Sequence, residues 1–73
     1  MTLGTWIKLN HGTHGKLSEF LGKSRHTVNR WYNEDPKRFF LYLPQLKRSS
    51  NTDLKDLIQM IEERCDDVQA LRG

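Results

Sequence analysis

Residues 24–33, Ser-Arg-His-Thr-Val-Asn-Arg-Trp-Tyr-Asn, carry the side chains best equipped for chemistry in this sequence. Val28 and Trp31 are three apart, and with Ser24 they mark the inward side of one helix. His26, Asn29, Arg30 and Asn33 then lie on the opposite side, with Arg25 and Thr27 flanking near its start. A solvated surface needs no such selection of long, planar hydrogen-bonding groups. A nucleic-acid groove does: an arginine fork matches guanine O6 and N7, and an asparagine amide matches adenine N6 and N7.

Other chemistries find less material. Three histidines, one cysteine and scattered carboxylates form no nucleophile–base arrangement by spacing, so neither a catalytic residue nor an enzyme activity is expected. His11 and His14 are three apart, but with His26 and Cys65 elsewhere the paired spacing of a metal site is missing. No glycine-rich phosphate loop, cofactor site or small-molecule site is read. The single cysteine excludes an internal disulfide and accords with a reducing compartment.

Charge is unevenly placed along the 73 residues, whose formal net charge is +3. Residues 1–50 hold nine Lys and Arg against three Asp and Glu, whereas residues 51–73 hold three against six. A basic body with an acidic tail points to a polyanion partner for the first part. No apolar run approaches the ~20 residues of a bilayer span. The N-terminal stretch has neither the basic n-region nor the long h-region of a signal peptide. A soluble protein of the cytoplasm is expected.

These groups need a scaffold. Thr2 is a candidate N-cap for a helix over residues 3–10, with Leu3, Trp6 and Ile7 at helical spacing and Gly12 as a stop. Thr13 caps a second helix carrying Leu17, Phe20 and Leu21 on one face and ending at Gly22. Ser24 caps a third, running to Asn33. Residues 34–51 have two readings. Asp35 as N-cap and Pro36 at the first helical position open a helical spacing through Phe39, Phe40, Leu43 and Leu46, which Pro44 interrupts. The aromatic run equally suits a short strand near 38–43. Two helical pieces split at Pro44 are preferred, with a strand paired to a second subunit as the alternative. From Thr52 onward, Leu54, Leu57, Ile58, Ile61, Cys65, Val68 and Leu71 form the stripe of one long amphipathic helix. The expected fold is all-α: a small helix-turn-helix domain of four to five helices over residues 1–50, with residues 51–73 as a C-terminal helix for packing and dimerisation. Trp6, Trp31, Phe39 and Phe40 are expected in its core.

Residues 14–33, HGKLSEFLGKSRHTVNRWYN, resemble the helix-turn-helix of phage Cro- and repressor-type regulators. Ser18 stands where that family has a small residue at the helix crossing, and Gly22 stands at the turn. Leu17, Leu21, Val28 and Trp31 occupy the apolar positions that lock the two helices. Lys23 departs from the pattern, an aliphatic residue being usual there; its stem can cover the core while the amine reaches outward. The resemblance implies a sequence-specific regulator of transcription, a repressor, whose third helix enters the major groove of double-stranded DNA. Base contacts are then expected from Ser24, Arg25, His26, Asn29 and Arg30, with Arg30 shared between base and backbone. Phosphate contacts are expected from Thr13, His14 and Lys16 at the start of the second helix, and from Lys23, Thr27, Lys37 and Arg38.

In the C-terminal stripe, Leu54, Leu57 and Ile58 are expected to pack on the basic unit. Ile61, Cys65, Val68 and Leu71 reach beyond what so small a core covers and are expected to meet a symmetry mate. The resulting homodimer would set two recognition helices about 34 Å apart, one duplex turn. Two other functions suit the same features: an excisionase-like architectural DNA-binding protein, and an antitoxin or adaptor whose acidic, apolar tail binds another protein.

Overall fold

The computed structural model describes residues 1–72. In chain order they form α1 (Leu3–Asn10), α2 (His14–Leu21), α3 (Arg25–Glu34), a 3-10 segment (Pro36–Tyr42), α4 (Leu43–Arg48) and α5 (Leu54–Arg72). The fold is all-α. The first three helices each begin at a hydroxyl. Thr2 Oγ1 accepts the Thr5 amide at 3.2 Å, Thr13 Oγ1 the Lys16 amide at 3.1 Å, and Ser24 Oγ the Thr27 amide at 3.1 Å. Each bond satisfies an amide with no carbonyl one turn back. At the end of α2, Gly22 sits at φ 70°, the left-handed region that a Cβ disfavours. The Lys23 amide donates to Ser18 O at 2.9 Å and the Gly22 amide to Glu19 O at 3.2 Å, the paired closure that stops a helix sharply.

Residues 38–43 do not form a strand, and no strand occurs among the described residues. The 3-10 segment runs directly into α4, with Pro36 opening the first piece and Pro44 in the first turn of the second. At those places the missing amide hydrogen has no helical acceptor to lose. Asp35 makes no capping bond; its Oδ2 instead accepts from Arg38 Nε at 3.2 Å.

One hydrophobic cluster serves the whole fold: Leu3, Trp6, Ile7, Leu17, Val28, Phe39, Leu46, Leu57, Met60 and Ile61. It crosses the division expected at residue 50, and α5 packs on α1, α3, the 3-10 segment and α4. Ile61 and Val68, expected at a dimer surface, are therefore buried in the protomer, and Cys65 is half-buried against the cluster. The physical reason is that the 3-10 segment and α4 fold back along α5 and cover more of its stripe than the basic unit was expected to reach. Leu71 stays outside at 82% exposure, and Leu54, expected to pack inward, is exposed as well. Phe20 is also exposed rather than core, while Trp31 and Phe40 are half-buried at the edge of the cluster.

Polar ties close the joint between α1 and the segment leading into α5. Trp6 Nε1 donates to Thr52 Oγ1 at 2.8 Å, so the buried indole keeps its hydrogen bond. His11 Nε2 lies 3.0 Å from Ser49 Oγ, and its ring packs near Trp6 and Phe20 with centroids 5.6 and 5.4 Å away. Burial pushes the His11 imidazole below its usual value.

Two outcomes follow for stability. Leu57→Ala should cost about 2–5 kcal/mol in urea unfolding, and Leu71→Ala less than about 0.5 kcal/mol; equal effects would show that α5 is not part of the core. His11 with a depressed folded value disfavours the charged ring, so its contribution is intact above pH ~6.5 and declines as pH falls from there toward the folded value. The melting temperature of the wild type should drop across that window more than that of His11→Gln.

Candidate nucleic-acid interface

The pair α2–α3 is held by burial. Leu17 and Val28 have no exposed surface, and Ser18 between them is 3% exposed, its Oγ donating to Gly15 O at 2.6 Å. A larger side chain at Ser18 would have no room between the helices. With Val28 fixed inward, Arg25, His26, Asn29, Arg30 and Asn33 are left exposed, and Thr27 half-exposed. Trp31 meets Phe39 edge-on at 5.7 Å and stacks on Tyr42 at 5.3 Å. Lys23 Nζ lies over the Tyr42 ring, 5.7 Å from its centre, so this lysine reaches toward an aromatic face.

The expected contact residues fall into separate groups. Thr13, Lys16, Lys23 and Arg25 line one shallow concavity together with Gly15, Ser18 and Glu19. A Cβ added at Gly15 would meet Arg25 Cδ at 3.6 Å, so the arginine stem runs beside the first turn of α2. Lys16 and Glu19 approach to 3.8 Å but are both mostly exposed, which leaves the lysine free to exchange partners. His14 and Asn29 are joined directly, His14 Nδ1 to Asn29 Oδ1 at 3.0 Å. His26 is exposed.

Other expected residues stand elsewhere or are already engaged. Ser24 Oγ caps α3 and also lies 2.8 Å from Thr27 Oγ1, so both hydroxyls serve the helix start. Arg30 and Lys37 line a different groove, beside Cys65, Val68 and Arg72 of α5 near the end of α3. Arg38 pairs with Asp35. Burial, then the nearby Asp35 carboxylate, push the Cys65 thiol up while Lys37 opposes them, which keeps the sulfur protonated and poorly nucleophilic. No three of His, Cys, Asp and Glu converge as metal ligands among the described residues.

Sequence reasoning missed Arg64 and left Tyr32 unplaced. The Arg64 guanidinium lies 4.0 Å from the Tyr32 ring centre, and its Nε donates to Tyr32 O at 2.8 Å. The Tyr32 ring in turn lies 4.8 Å from the His14 ring, and its hydroxyl fills the space over Gly4, where any Cβ would collide with it. Arg64 does leave a trace in the sequence: it occupies the inward register shared by Leu57, Ile61 and Val68, where a lone charge among apolar residues calls for a partner.

No family model, curated protein or solved structure matches the chain. Its class is thus defined by its own fold: an all-α domain presenting one exposed polar helix, α3, on a buried two-helix lock. With Ser24 as a cap, Ser24→Ala should lower stability by about 1 kcal/mol, measured by urea unfolding, and Ser24→Asp should restore it. No change in either variant would release the hydroxyl for another role.

Proposed function

We propose that this chain is a sequence-specific, double-stranded-DNA-binding repressor of the phage type that its α2–α3 segment resembles, working in a bacterial cytoplasm. One observation carries the reading. The outward face of α3 holds Arg25, His26 and Asn29, while Thr13, Lys16 and Lys23 gather beside Arg25 at the adjoining helix starts. A major groove admits one helix, and its base edges present acceptors to arginine and both donor and acceptor to asparagine. The helix-start group suits phosphate, because free amides and the helix dipole favour anions there. No helix is long and apolar enough to cross a membrane among the described residues, and the six acids of residues 51–72 are exposed on the α5 side of the molecule.

The reading includes a homodimer, which lets two α3 helices address a palindromic site. Ile61 and Val68 are buried within the protomer, and exposed Leu54 and Leu71 with half-buried Ile58 and Cys65 are the larger apolar side chains that α5 leaves for contact. Occupying a promoter in this form blocks transcription. A second reading, an adaptor whose tail binds another protein, draws on that same exposed Leu71 beside the acidic residues.

Binding to mixed-sequence duplex DNA should weaken steeply as salt rises, because lysines and arginines displace condensed counterions. A flat salt response overturns the DNA reading. Lys16→Ala should weaken all duplexes alike, whereas Arg25→Ala should relax preference at one base pair, by roughly tenfold.

A further inference from the structure

An asparagine amide on a groove-facing helix has an ambiguity built into it. Rotation by half a turn exchanges its oxygen and nitrogen, and with them the base pattern it matches. At Asn29 one of the two orientations has a partner in place. His14 Nδ1 lies 3.0 Å from Asn29 Oδ1, and an amide oxygen can only accept, so Nδ1 carries the hydrogen and donates. The imidazole is itself held. Its ring packs against Tyr32 at 4.8 Å, Tyr32 lies under the Arg64 guanidinium at 4.0 Å, and Arg64 Nε anchors to Tyr32 O at 2.8 Å. The hydroxyl of Tyr32 is seated over Gly4 of α1, which leaves the ring little room to swing.

We infer that His14 is a positioning residue for Asn29, and that Arg64 of α5, acting through Tyr32, holds the His14 ring in the orientation that lets Asn29 present one defined amide edge to DNA. This deepens the DNA-binding reading above and rests on it. The stoichiometry of hydrogen bonds is consistent. Asn29 Oδ1 has two lone pairs, one taken by His14 and one left for adenine N6–H, while Nδ2–H faces adenine N7. The pair therefore favours adenine at the base pair Asn29 reaches. A side chain without a donor at position 14 lets the amide turn over, and the adenine preference falls.

The free protein tests the first half without DNA. Long-range proton–nitrogen spectra should show neutral His14 carrying its hydrogen at Nδ1, and Asn29→Ala, which removes the acceptor, should shift the population toward Nε2. An Nε2-protonated ring in the wild type overturns the inference. The second half is read on a duplex selected from a random library, against its single-base variants. His14→Phe keeps an aromatic ring on Tyr32 but removes the donor. It should lose about tenfold in discrimination at the same base pair as Asn29→Ala, with the salt dependence unchanged; His14→Gln, which retains a donor, should recover most of it. Arg64→Ala should lose discrimination at that base pair too, and add little when combined with His14→Phe. Wild-type discrimination in His14→Phe, or a loss at a different base pair, overturns the inference while DNA binding stands. Absence of salt-sensitive duplex binding by the wild type overturns the function instead, and the spectra still decide the pair.

Discussion

The structure depends on one constraint: a chain of this length has to close its core with a single long helix. A domain so small buries only a modest fraction of its unfolded surface, so the larger part of that helix's apolar stripe goes into the core. Leu57, Met60 and Ile61 of α5 join Leu3, Trp6 and Ile7 of α1 and Phe39 and Leu46 in one cluster. Without that face, the short helices of the first fifty residues would have their apolar sides in water. They are too short to persist alone. The bonds from Trp6 to Thr52 and from His11 to Ser49 hold the connecting segment where α5 must start.

The same helix reaches the candidate interface. Arg64 stands one turn beyond the buried Ile61 and touches both the ring and the carbonyl of Tyr32, near the end of α3. A half-buried guanidinium placed over an aromatic face keeps its charge and gains contact area. From there the packing continues to His14 and ends at Asn29, an exposed side chain. The exposed helix is thus oriented by two supports of different kinds. Behind it, Leu17 and Val28 set its distance from α2 by apolar packing; beside it, a polar and aromatic chain sets the orientation of one side chain. Burial alone fixes helix position well but cannot distinguish the two ends of an amide.

Charge follows the same division. The bases of the first fifty residues are exposed on the short helices and their connections, whereas the acids of residues 51–72 are exposed on and just before α5. Core-building and solvation thus use opposite sides of α5, and the helix lends the rest of the molecule stability without adding net positive charge. The grouping of Arg30 and Lys37 with α5 residues also shows that a basic residue on α3 need not share a surface with its neighbours in sequence.

Local signals in the sequence determined a great deal: three hydroxyl caps, the Gly22 stop, the break near Pro44 and the helical run of α5 stand where residue type and spacing put them. They were legible because each arises within a turn or two of the chain, from a cap, a forbidden φ or a missing amide hydrogen. Tertiary structure alone decided the 3-10 form of residues 36–42, the burial of Ile61 and Val68, the exposure of Phe20, and the meeting of His14 with Asn29 and of Arg64 with Tyr32. Periodicity says which side of a helix is apolar, but not what will cover it. That depends on how far neighbouring elements extend along it, which is a property of packing in three dimensions rather than of any stretch of sequence.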